Sequence, residues 1–88
     1  MSESVAVVVV TFNRADLLAG MLDGLAAQTR RPDAVFVVDN ASTDHTRAVL
    51  EARTDLPLTA IHADENTGGA GGFHRGMKAA YDFFGSLR

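Results

Sequence analysis

The chain sets short, unbroken apolar runs against stretches where apolar residues recur every three or four positions. Val5 to Val10 is β-branched apart from one alanine, and Ala34 to Val38 is a second such run, closing on Asp39. Neither alternates, so both read as strands covered on two faces, the pattern of a parallel sheet. Leu58 to Ala63 supplies a third, less apolar strand. Between the first two, Leu17, Leu18, Met21, Leu22 and Leu25 share one helical stripe, which predicts a helix over about Arg14 to Gln28 with Asn13 as N-cap and Asp16 in the first turn. A shorter helix capped at Ser42 is expected to reach about Arg53. Arg30-Arg31-Pro32-Asp33 and Leu56-Pro57 supply the breaks.

The remaining segment, NTGGAGGFHRG from Asn66 to Gly76, holds five glycines in eleven residues. After it, Phe73, Met77, Ala80, Tyr81 and Phe84 are expected to form the apolar face of a third helix, with Lys78 and Asp82 opposite. The order predicts an α/β fold: three βα units on a parallel three-stranded sheet of order 3-2-1, joined by right-handed crossovers in one Rossmann-like domain over residues 1–88. Ligands of such sheets bind beyond the carboxyl ends of the strands. Thr11 to Arg14, Asp39 to Asp44 and Asp64 to Arg75 lie there, and they hold the chain's unusual chemistry.

Composition narrows the classes. With 47% apolar and 22% charged residues among 88, the chain suits one small compact domain rather than a disordered segment or a coiled coil. The absence of cysteine excludes disulfides, thiolate zinc sites and a catalytic cysteine, and fits a reducing compartment, so a cytoplasmic location is expected. No apolar run approaches the roughly 20 residues that span a bilayer. The net charge of −3 with interspersed signs offers no footprint for nucleic acid.

The glycine segment can be read as a backbone cradle for a diphosphate or as a flexible loop. A G-x-G-x-x-G match fails at His74, and a Walker pattern fails at Met77 and Lys78. Asp39 could accept from a ring N–H or a ribose hydroxyl, or be tied into its own turn. Asp44 suits a first helical turn. Arg75 and Arg14 sit at expected helix N-termini, where a bound anion would remove the dipole's penalty on a cation; Arg75 is assigned a phosphate, whereas Arg14 equally suits a surface role. Asp64-Glu65-Asn66 reads as polar loop rather than a metal site. His45, His62 and His74 lack paired ligand spacing, and His62 reads as structural.

Taken together, Thr11-Phe12-Asn13-Arg14, Val38-Asp39-Asn40-Ala41-Ser42-Thr43-Asp44 and Glu65-Asn66-Thr67-Gly68-Gly69-Ala70-Gly71-Gly72-Phe73-His74-Arg75-Gly76 resemble the start of family-2 inverting glycosyltransferases of the GT-A fold. The long glycine form is most similar to bacterial rhamnosyl- and galactofuranosyltransferases of cell-wall polysaccharide synthesis. The resemblance implies that Thr11 and Arg14 flank the nucleoside, Asp39 reads the pyrimidine of a UDP- or dTDP-sugar, Asn66, Gly68 and Gly69 line base and ribose, and Arg75 approaches the diphosphate. It also implies transfer to a glycan or lipid-linked acceptor, with a divalent cation, Mg or Mn, on the leaving diphosphate.

The family's metal-binding Asp-x-Asp element and general base lie beyond the stretch matched here. The 88 residues are therefore expected to be the donor-binding first half of an enzyme, inactive alone, with the longer protein in the cytoplasm or at the inner face of the membrane. In the GT-A order the first strand pairs with a fourth, so here it should present a free edge and form a homodimer. The rival expectations are a non-catalytic Rossmann-like nucleotide-sensing or protein-interaction module and a nucleotidyltransferase fragment. The latter usually carries an early basic signature, which Thr11 to Arg14 does not supply.

Overall fold

A computed structural model describes residues 5–66 and 68–86; Thr67 of the glycine motif lies outside the described residues. The elements follow the expected order: strand β1 (Ala6–Thr11), helix α1 (Ala15–Ala27), strand β2 (Ala34–Asp39), helix α2 (Thr46–Ala52), strand β3 (Leu58–His62) and helix α3 (Gly68–Ser86). β2 is central and pairs in parallel with β1 and β3, so the order β1-β2-β3 is the predicted 3-2-1 read from the other edge. Every residue of β2 is buried, since it has a strand on each side and helices on both faces. The outer edge of β1 has no strand partner among the described residues, and Ala6 to Val10 stay half-buried. The full cover read from that run is therefore missing on one side.

Side chains of β2 alternate between two apolar layers, as the pleat requires. Val35 and Val37 join Leu18 and Leu22 of α1, Leu50 of α2, and Leu56. Ala34 and Phe36 join Ala80 of α3, with Val8 and Phe83 packed alongside. Phe36 and Phe83 meet edge to face with centroids 6.0 Å apart. Leu18 and Leu22 are almost wholly enclosed, which contributes about 1.5–3 kcal/mol each.

Helix α3 departs twice from expectation. It begins at Gly68, inside the glycine run rather than after it. Each glycine costs about 1 kcal/mol relative to alanine in a helix, so local propensity opposes this start and packing must decide it. A Cβ on Gly72 would stand 2.7 Å from Cγ1 of Val10, and one on Gly76, a turn later, would collide with Cγ1 of Val8. The bare backbone is what lets the helix lie so close to β1.

The second departure is the buried face. Gly72, Gly76 and Ala80 face the sheet, whereas Phe73, Met77, Tyr81 and Phe84 are 52%, 47%, 78% and 36% exposed. Of the predicted apolar stripe only Ala80 is buried. The hydropathy pattern gave glycine no weight, yet a close helix–sheet approach selects the residues with no side chain. Among the described residues no helix is long and apolar enough to cross a membrane.

Candidate functional site

The parallel registers align Thr11 with Asp39 and Asp39 with His62, so the strands end in one row. Thr11 and Asp39 are both buried. Burial pushes the Asp39 carboxyl up, but hydrogen bonds from Ser42 and His62 outweigh it and hold the group below its ordinary value. The Ser42 amide donates to Oδ1 at 3.0 Å, and His62 Nδ1 lies 3.1 Å from Oδ2. His62, structural by sequence, is thus the partner of the buried carboxylate.

The first two strand-end segments are stitched together, and this displaces two expected caps. Asn13 is not the N-cap of α1; that position belongs to Arg14, whose own side chain makes no capping bond. Asn13 adopts a positive φ of 49°, a conformation asparagine tolerates better than most residues. From there its amide oxygen accepts from the backbone N–H groups of Thr43 at 2.7 Å and Asp44 at 3.3 Å. Nor does Ser42 cap α2, which starts at Thr46 with His45 in the N-cap position. The Ser42 hydroxyl instead accepts from the Asn13 amide at 3.0 Å. Asp44 does the capping for both helices. It accepts from the Thr46 amide at 3.0 Å and its hydroxyl, and from the Ala15 amide at 3.2 Å. These bonds, the Thr46 hydroxyl's first, hold Asp44 below its ordinary carboxylate value.

The third segment is joined through Asn40, almost wholly buried at the end of β2. Its backbone N–H donates to Thr11 O at 2.9 Å. Its side-chain Nδ2 donates to Asn66 Oδ1 at 2.9 Å and to Gly68 O at 3.0 Å. Asn66 Oδ1 also accepts from the Gly68 amide at 2.7 Å.

Between these segments opens a cleft of about 430 Å³, within the usual range for small-molecule sites. Thr11, Arg14, Asn66, Gly68 and Gly69 line it, so five of the seven expected site residues meet in one place. Phe12, Leu17, Leu18 and Met21 give it apolar walls, and Asn40 adds a polar one. Asn40 and Phe12 were not expected here. The available signals were a polar side chain directly after a buried strand and an aromatic ring between strand and helix.

The other two expected residues do not line the cleft. Asp39 lies behind the strand ends, held by Ser42 and His62. Arg75 borders a separate hollow with Ile61, Lys78, Ala79 and Asp82. Its expected place assumed a helix starting after the glycines; because α3 starts at Gly68, residue 75 falls in the third turn, on the side facing β3. Among the described residues no group of three or more His, Cys, Asp or Glu side chains is placed to hold a metal ion.

Residues 6–82 match the sequence profile of Glycosyl transferase family 2. The galactofuranosyltransferase GlfT1 of Mycobacterium tuberculosis is 49% identical over 78 residues, and that of Mycolicibacterium smegmatis 42% over 76. These alignments cover 88% and 86% of this chain but only 26% and 25% of the relatives, so the chain spans about a quarter of their length. Among solved structures, the mannosyltransferase PcManGT from Pyrobaculum calidifontis, in complex with GDP-Man and Mn2+, superposes with a TM-score of 0.75 at 34% identity, over 84% of this chain and 23% of that one. The strand-end motifs, the parallel sheet and a profile match over almost the whole length agree, and the chain belongs to glycosyl transferase family 2.

Proposed function

We propose that the cleft binds the nucleoside end of a nucleotide-diphosphate sugar and that the chain is the donor-binding part of an inverting glycosyltransferase of cell-wall polysaccharide synthesis. The observation that carries this reading is the convergence of Thr11, Arg14, Asn66, Gly68 and Gly69, from separate strand ends, on one cleft with apolar walls. In it the exposed ring of Phe12 offers a face to a base, Thr11 and Asn66 offer polar atoms to base and ribose, and Arg14 offers charge to the diphosphate. Asp39 contributes a fixed negative charge behind the strand ends. Arg75, on the β3 side of α3, has no role in this pose.

In the proposed reaction an acceptor hydroxyl of a glycan or lipid-linked glycan attacks the anomeric carbon. The bond to the diphosphate oxygen breaks with inversion, the nucleoside diphosphate leaves, and the hydroxyl proton passes to a general base. The residues of this chain hold and orient the leaving nucleotide; the base, and the Mg or Mn ion that would neutralise the diphosphate, belong to other parts of the longer enzyme. The 88 residues alone turn over no donor. We place the longer protein in the cytoplasm or at the inner face of the membrane. At the open edge of β1 a second copy of this chain pairs with the first.

NMR titration of the isotope-labelled chain with UDP, dTDP and GDP tests the reading. Shifts of the Thr11, Phe12, Asn66 and Gly69 amides, with pyrimidine nucleotides bound more tightly than GDP, are expected. No perturbation at millimolar concentrations of any of the three would overturn it.

A further inference from the structure

We propose that Asn40 is a positioning residue that sets where α3 begins and so fixes the Gly68–Gly69 wall of the cleft against the end of β1. The orientation of its amide follows from chemistry alone. Gly68 O can only accept, so the Asn40 atom facing it at 3.0 Å is the nitrogen. The Gly68 amide can only donate, so the Asn66 atom facing it at 2.7 Å is the oxygen, and that same oxygen receives the second Asn40 hydrogen. Both backbone polar groups of Gly68 are thus held by side chains, at the residue whose φ of +79° lets the chain turn into the helix. The Asn40 backbone N–H meanwhile bonds Thr11 O. One buried residue thereby ties two walls of the cleft, from β1 and α3, to the central strand. A Cβ on Gly72 would meet Asn40 Nδ2 only at an ordinary contact distance of 3.6 Å, whereas its clash is with Val10.

The consequence for ligand rests on the nucleotide-binding reading above; the consequence for α3 does not. The test is therefore amide exchange by NMR on the free chain, followed by UDP titration. Asn40→Asp keeps shape but turns a donor toward two acceptors into a third acceptor. It should speed exchange of the Gly71, Gly72 and Phe73 amides about tenfold or more relative to those of Val35 to Val38, which should keep their native order. Asn66→Ala, at an exposed position, removes the shared acceptor and should have the same local effect; it decides the matter if the Asn40 variant fails to fold. The double variant should show less than the sum of the two single effects, because the Asn40–Asn66 bond is common to both. Unchanged first-turn exchange in both single variants, or additive effects in the double, would overturn the proposal. UDP should bind the Asn40→Asp chain about tenfold more weakly than the native chain. A frayed first turn with undiminished UDP affinity would refute the link to the cleft, whereas a native chain that ignores UDP would sink the nucleotide reading and leave the exchange result to decide the role of Asn40.

Discussion

Gly76 of α3 sits so close to Val8 of β1 that a single added methyl group would strike the valine's Cγ1. Alanine is favoured over glycine by about 1 kcal/mol inside a helix, while overpacking a tight contact costs about 1–3 kcal/mol. Val8 cannot swing aside easily, since a β-branched side chain in a strand is stiff at χ1. The collision wins, and Gly76→Ala should destabilise the chain by about 1–2 kcal/mol in urea unfolding. Gly20→Ala in α1, where nothing lies within 4 Å of the added Cβ, should instead stabilise it by about 0.5–1 kcal/mol.

That contact also marks the limit of what the sequence reveals. The three strands, their order and the site at their carboxyl ends are legible because unbroken apolar runs such as Ala34 to Val38 have few alternative explanations. The start and facing of α3 are not legible, because Gly72 and Gly76 carry neither helix propensity nor hydropathy, and what places them is a tertiary approach to Val10 and Val8. The caps fail for a related reason. Asn13 and Ser42 have the right chemistry for local capping, but their partners lie about thirty residues away, and Asp44, which caps Thr46 locally, also reaches Ala15 across the chain. The same long-range exchange hides Asn40, whose importance depends on Asn66 and Gly68 being brought to it.

Asp44 serves two helix starts with one carboxylate, the Ala15 amide of α1 and the Thr46 amide of α2. Asp44→Ala should therefore lower the urea midpoint more than Asp16→Ala, which removes an exposed first-turn acid of α1 that faces the exposed His45. Equal midpoints for the two variants would show that the bridging bonds add nothing.

The lowered Asp39 carboxyl makes a prediction about acid. Its folded-state value lies below the ordinary 3.8, so the stability it contributes is present in full above that pH and is lost as pH falls through the folded value. Urea midpoints from pH 6 to pH 2.5 should fall less steeply for Asp39→Asn than for the native chain. A slope remains in the variant, because Asp33 and Asp44 are lowered as well.

Self-pairing at the β1 edge should appear in sedimentation as a dimer whose population grows with concentration. A native chain that stays monomeric at millimolar concentration contradicts the pairing.

The last prediction separates the two arginines that the family resemblance assigns to the nucleotide. Arg14 lines the cleft beside Thr11 and Phe12, whereas Arg75 faces β3 with Ile61 and Asp82. A hydrogen bond to a charged group is worth about 1.5–3 kcal/mol, and 1.4 kcal/mol is tenfold in affinity. Arg14→Ala should thus raise the Kd for UDP about tenfold or more, while Arg75→Ala should leave it within about twofold. Titration of both variants alongside the native chain reads the difference directly. The reverse ranking would mean that the diphosphate runs over the first turns of α3 toward β3, and that the cleft holds only the base and ribose.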